Sequence, residues 1–220
     1  IGCGKMGSSL LEGWSSLKVI KHITIIEPNL DEIPSKLLNI KSFNFYKTIE
    51  EAENFSFDMT ILAVKPQVME VVLKQISNLN FKSDSWLSIA AGLTVKFFEN
   101  VLGNNQQIIR TIPNTPASIK KGVTAIYFNR NCKNKTINES ILLMKAVGET
   151  IIVDDENLMD AYTAVSGSGP AYIFYFVEAI ISAAKEMGIN EKNARILAEK
   201  TLIGSAYLPV SYTHLTLPTK

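Results

Sequence analysis

The feature that most constrains this chain is a repeated switch between short, continuously apolar runs and stretches with helical spacing. "HITIIEP" (22–28), "FDMTILAV" (57–64), "SWLSIAAG" (85–92), "QIIRTIP" (107–113), "GVTAIYF" (122–128) and "ETIIVDD" (149–155) read as strands. Between them, Leu10, Leu11, Trp14 and Leu17 lie on one helical face, and Val68, Val71, Val72 and Ile76 on another. Helices are also expected over 30–40 (weakened by Pro34), 95–102 and 136–147. Strands apolar on both sides need helices on both sides, so the pattern predicts an α/β fold with a doubly wound, mostly parallel sheet. Right-handed crossovers would bring the C-terminal ends of all the strands to one rim, where ligands of open α/β sheets bind.

From residue 156 the texture changes. "SGSGPAYIFYFVEAIISAAKEMG" (166–188) starts with small residues, has Pro170 in its first helical turn and ends at Gly188. Its polar positions, Glu178, Ser182 and Lys185, form one narrow stripe, so this helix is expected to be buried on several sides. Asn190 is placed to cap a second helix whose inner face is Ala194, Leu197, Ala198 and Leu202. About fifty residues are too few for an independent core. The expected organisation is a nucleotide-binding domain over 1–155, a smaller all-α domain over 156–208 packed on it and on a second copy of the chain, and a foreign or disordered tail over 209–220.

Composition narrows the partners. Among 220 residues, 22 basic side chains balance 21 acidic ones, which argues against nucleic acid or an anionic membrane surface. No apolar run is expected to reach the roughly 18 residues of a membrane span. Cys3 and Cys132 form no paired motif and read as reduced thiols of a cytoplasmic protein. Neither His22, at a strand start, nor His214, in the tail, supports a catalytic triad, and no spaced metal-binding cluster is present. Asp154, Asp155 and Glu156 read as a solvated connector. Ile1-Gly2 reads as the last step of a strand.

Chemistry is expected where the strands end: "GCGKMG", "EPN", "VKPQ", "AAG" and "PNTP". Gly2 would permit a tight turn, Gly4 the approach of a pyrophosphate and Gly7 close packing of the next helix. Lys5 and Met6 lie in the same loop. Glu27, twenty residues past Gly7, is placed to accept hydrogen bonds from a ribose 2′-hydroxyl. Lys21, Lys36 or Lys41 could instead neutralise a 2′-phosphate, so both cofactor types stay open. Ala63, Val64, Lys65 and Pro66 would line the dinucleotide. Asn114 and Thr115, bracketed by prolines, would face the nicotinamide end or the substrate. Ser166 and Ser168 would border a helix start suited to a carboxylate.

Taken together, "IGCGKMG", "LAVKPQ", "SIAAGLTV", "RTIPNTPASIKKGVTAI" and "AVSGSGPAY" make the chain resemble the pyrroline-5-carboxylate reductase family over residues 1–206. The resemblance implies a Rossmann domain followed by a helical dimerisation domain. It also implies reduction of a cyclic imine, 1-pyrroline-5-carboxylate, to proline by NADPH or NADH. Such a substrate is already an electrophile when protonated, so hydride transfer needs proximity, orientation and a dry pocket more than a placed acid. Accordingly no single catalytic residue is expected. Related β-hydroxyacid dehydrogenases carry a lysine one turn after the small-residue motif, where this chain has Tyr172, Phe174 and Tyr175.

In the family the helix containing "KTLIGSA" (200–206) leads to a Ser-Pro-Gly-Gly-Thr loop that binds substrate, whereas here "YLPVSYTHLTLPTK" follows. The chain as written is therefore expected to bind dinucleotide weakly and turn over little substrate, while its intact parent is active. The alternatives are a reductase of the β-hydroxyacid or ketoacid type and a non-catalytic dinucleotide-binding scaffold.

Overall fold

The computed structural model describes residues 1–211, with side chains described to residue 208. The tail expected over 209–220 thus lies outside the described side chains, and 212–220 outside the described residues. The chain divides into two compact units, Ile1–Ser168 and Gly169–Lys220.

In the first unit, α1 (Lys5–Trp14) leaves the glycine loop and buries Leu10, Leu11 and Trp14. The Trp14 indole N–H donates to the Leu143 carbonyl at 2.9 Å. β1 (Ile23–Ile26) pairs in parallel with β2 (Phe43–Tyr46), an element the sequence reading missed. The helix expected over 30–40 is instead a 3-10 turn, Leu30–Glu32, and one turn of α2, Ser35–Leu38. Pro34 is the cause: it offers no N–H and holds Ile33 extended.

Further along come β3 (Ser56–Phe57), β4 (Thr60–Leu62), α3 (Pro66–Ser77), β5 (Lys82–Ser83), β6 (Trp86–Ser88) and α4 (Val95–Leu102). They are followed by β7 (Ile108–Ile112), β8 (Gly122–Phe128), α5 (Asn134–Lys145), β9 (Gly148–Ile152) and α6 (Met159–Tyr162). β3 pairs with β5, and the principal sheet runs β4-β6-β7-β8-β9. Its pairings are parallel except β7–β8. The expectation that every strand end shares one rim therefore fails for β8 and β9. Only residues 113–121 separate β7 from β8, too few for a crossover, whereas α5 supplies one between β8 and β9.

Ile1 joins the sheets. Its carbonyl accepts from the Ala63 N–H at 2.8 Å, its nitrogen donates to the Ile61 carbonyl at 2.7 Å, and the Gly2 N–H donates to Ile26 at 2.9 Å. This is a parallel ladder between β1 and β4, and an open cleft of about 1040 Å³ lies between those strands. Three apolar clusters form the core: one around Leu10, Trp14, Leu87 and Ile109, one around Leu62, Leu73, Phe98 and Ile108, and a small one of Ile112, Ala125, Val153 and Met159.

The second unit is a pair of packed helices, α7 (Gly169–Glu186) and α8 (Glu191–Ser211). Gly188, at φ +89°, ends the first, as a C-terminal glycine in the left-handed region does. The Asn193 N–H donates to Asn190 Oδ1 at 2.9 Å, the expected cap. Ala194 and Ala198 are buried as expected, but Leu197 is 51% exposed. Within one chain only Ala184 of α7 is buried, and Tyr172, Phe174, Tyr175 and Phe176 are all more than half exposed, so the burial expected of this helix is not met inside the chain itself and rests with the expected second copy. Two helices enclose one seam and leave the remaining faces in water. The helical stretch Glu156–Glu186 is long and apolar enough to cross a membrane by length and composition, contrary to the sequence expectation. Mean hydropathy tolerates the isolated Glu178 that interrupts the apolar run.

Candidate nucleotide and substrate site

Gly2 sits at φ +89°, and a Cβ there would lie 2.7 Å from the Ala63 carbonyl oxygen. Only glycine allows this turn. A Cβ on Gly7 would lie 2.9 Å from the Gly2 oxygen, so α1 packs hard against its own loop. Gly4 differs: no heavy atom lies within 4 Å of its would-be Cβ. It faces open space at the N-terminus of α1, where no side chain caps the helix. Backbone N–H groups beside an open, side-chain-free concavity are what a pyrophosphate requires. Lys5 is exposed at this end, while Met6 packs against the core.

Glu27 closes the loop from the β1 side. Its Oε2 accepts from the Cys3 N–H at 2.7 Å, and its Oε1 accepts from the Asn29 N–H at 3.0 Å. From the β4 side, Ala63 and Val64 lie against Gly2. Lys65 is extended and exposed, and Pro66 opens α3 at a position where no N–H is needed. β6 ends beside them: the Ser88 carbonyl accepts from Thr111 Oγ1 at 2.9 Å, and its Oγ accepts from the Ala90 N–H at 3.1 Å.

The fifth corner follows β7. Asn114 is buried, and its amide is used at both ends: Nδ2 donates to the Ser166 carbonyl at 3.1 Å, and Oδ1 accepts from the Val123 N–H at 2.9 Å. Thr115 is exposed and begins a 3-10 turn, Thr115–Ile119, that packs on α1. So "PNTP" reaches both the glycine-loop helix and the first serine of "SGSGP".

That second motif does open α7 at Gly169, with Pro170 in its first turn as expected, but helical backbone already precedes it. Thr163–Gly167 forms a π-helical turn continuous with α6, and the Ser168 N–H donates to the Thr163 carbonyl at 2.9 Å. Pro170 has no N–H for the carbonyl four residues earlier, which is that of Ser166. The freed carbonyl takes Asn114 Nδ2 instead. Ser166 Oγ donates to the Tyr162 carbonyl at 2.9 Å. Single π turns of this kind recur at functional sites.

Sequence reasoning missed one polar feature. Glu156, expected to be solvated, has its Oε1 2.6 Å from Arg110 Nη1, and the same oxygen accepts from the Val95 N–H at 2.6 Å. Arg110 is buried in the middle of β7, and its Nε has no partner among the described residues. An arginine inside "QIIRTIP" was the available signal, since a buried guanidinium requires an anion. Burial pushes the Tyr127 phenol up, with Glu156 and Asp155 adding to the effect. It also pushes the free Cys3 thiol up, and that of Cys132 to about 11. Both thiols are thereby held in the unreactive protonated form. Among the described residues no group of three or more His, Cys, Asp or Glu could hold a metal ion.

Sheet, glycine loop and corner turns define a Rossmann-type oxidoreductase that uses a nicotinamide dinucleotide. Residues 1–92 match a family model described as NADP oxidoreductase coenzyme F420-dependent, and 156–217 match pyrroline-5-carboxylate reductase dimerisation. A pyrroline-5-carboxylate reductase of Methanosarcina acetivorans is 33% identical over 211 residues, 94% of this chain and 76% of that protein. The Streptococcus pyogenes enzyme superposes with a TM-score of 0.84 at 27% identity, covering 99% of this chain and 80% of that one. The Plasmodium falciparum reductase, solved with NADP bound, gives 0.83 at 26% identity, covering 97% and 78%. The chain belongs to the pyrroline-5-carboxylate reductase family. Residues 169–217 of its apolar second unit fall within the region matched to dimerisation, which supports homo-oligomerisation.

Proposed function

We propose that the protein reduces 1-pyrroline-5-carboxylate to proline, the last step of proline biosynthesis, with NADH or NADPH along the edge where β1, β4, β6 and β7 end. The observation that carries this reading is the glycine loop set against Ala63-Val64, with the turn that follows Asn114 packed on the helix leaving that loop and Asn114 itself bonded to Ser166. When bound, the dinucleotide supplies the hydride. The chain's own part is positional. The N–H groups of α1 and the space at Gly4 hold the pyrophosphate, with Lys5 and Lys65 at its margins and Met6, Val64 and Pro66 fixing the walls. Asn114 sets the Thr115 turn and, through Ser166, the π turn that carries Ser168, so that the backbone at this corner faces the nicotinamide and the substrate. No acid is demanded of the protein, because the substrate nitrogen arrives protonated.

The helical region from Glu156 onward serves as the dimerisation and substrate part, giving a homodimer or higher homo-oligomer in the cytoplasm with no membrane or nucleic-acid partner. The test is a substrate panel followed by NAD(P)H absorbance. In the intact parent, oxidation with pyrroline-5-carboxylate and none with β-hydroxyacids or ketoacids is expected, with little turnover by the 220-residue chain itself; the reverse substrate pattern removes the proposal. In light scattering the protein should run above monomer mass, and Phe174→Glu should lower that mass.

A further inference from the structure

We infer that this protein selects NADH over NADPH, with Glu27 as the specificity-determining residue; the inference rests on the dinucleotide reading proposed above. The Glu27 carboxylate is locked at the end of β1 by two backbone donors, Cys3 N–H at 2.7 Å and Asn29 N–H at 3.0 Å. A carboxylate tied to the glycine loop itself cannot swing away from the adenosine ribose, yet each of its oxygens keeps a lone pair free for a ribose hydroxyl. A 2′-phosphate would have to sit against this fixed negative charge.

The lysines that could offset such a clash are elsewhere. Lys21 and Lys41 precede β1 and β2, so they belong to the opposite edge of this parallel pair. Lys36 is engaged with Glu12 at 2.8 Å. Residues 27–34, which follow β1, contain no lysine or arginine, and those following β2 contain only Lys47 before β3. Against that single cation the same turns carry Asp31, Glu32, Glu50 and Glu51. The ribose end is thus acidic, the charge environment that admits a 2′-hydroxyl and repels a 2′-phosphate.

The test is binding by calorimetry on the full chain, with NADH, NADPH, 5′-AMP and 2′,5′-ADP as probes. NADH and 5′-AMP should bind at least about tenfold more tightly than their 2′-phosphorylated counterparts. Glu27→Ser should narrow or invert that ratio. Glu27→Gln, which keeps one acceptor for the loop N–H groups, should narrow it with little change in melting temperature. Equal or tighter binding of NADPH by the unaltered protein overturns the inference and leaves the dinucleotide reading standing, as does a ratio unmoved by either variant. Binding of neither dinucleotide overturns both.

Discussion

The two units put similar apolar content to opposite uses. Ile1–Ser168 buries its large side chains, Phe98, Leu62, Leu87 and Ile109 among them, between a sheet and helices. In Gly169–Lys220 the residues buried among those described are alanines, Ala184, Ala194 and Ala198, while Phe174, Tyr175 and Met187 lie open. Layered α/β architecture encloses a core within one chain, whereas a helix pair encloses only its own seam. The contrast also separates roles. The unit with the closed core carries the glycine loop, and the open one falls within the region matched to dimerisation.

The sharpest way to break this contrast is a matched pair of truncations. Phe98→Ala should cost ~3–5 kcal/mol in denaturant unfolding, and Phe174→Ala less than ~0.5 kcal/mol at concentrations too low for association. Equal losses would mean that the second unit has a core of its own. Next in size is the polar contact that ties β7 and α4 to Glu156. Glu156→Gln leaves Arg110 buried without its anion, and a loss of ~2 kcal/mol is expected from thermal melts, moderated by the partial exposure of the glutamate.

Gly4→Ala refines the picture within the first unit. Because nothing lies within 4 Å of the added Cβ, the melting curve should stay within ~0.5 kcal/mol of the parent while dinucleotide affinity falls at least about tenfold in a fluorescence titration. Gly2→Ala, facing the Ala63 oxygen at 2.7 Å, should instead lose both folding stability and binding.

The smallest effect concerns the closed core alone. With its thiol pushed to about 11 by burial, Cys132 should react with iodoacetamide ~100-fold more slowly at pH 8 than an ordinary thiol, as read by mass spectrometry. The sign for stability follows. Between pH 9 and 11 the unfolded chain releases this proton and the folded one keeps it, so stability falls as pH rises through that window.

Much of this was legible in the sequence because its causes are local. Val95–Leu102 and Gly122–Phe128 have the bounds their patterns predicted, since continuous apolar runs and the Thr94 cap act over a few residues. β2 escaped notice because "FNFY" is only four residues long, alternates and pairs at an edge. The reversal of β8 depends on a loop length whose meaning emerges only once its neighbours are placed. At the site, the glycine loop was readable from spacing alone. The occupation of Glu27 by loop N–H groups was not, nor was the Glu156–Arg110 pair across 46 residues. The apolar faces of α7 were legible but their cover was not, because sequence tells which faces are apolar and not what lies against them.

Asn114 links two distant stretches of backbone by giving a hydrogen to one and a lone pair to the other. An aspartate of the same shape would turn a repelling oxygen toward the Ser166 carbonyl, and a leucine would strand both groups. An asparagine in such a motif can thus be a rivet rather than a reagent: its loss would free two stretches of backbone to shift while removing no reactive group from the chain.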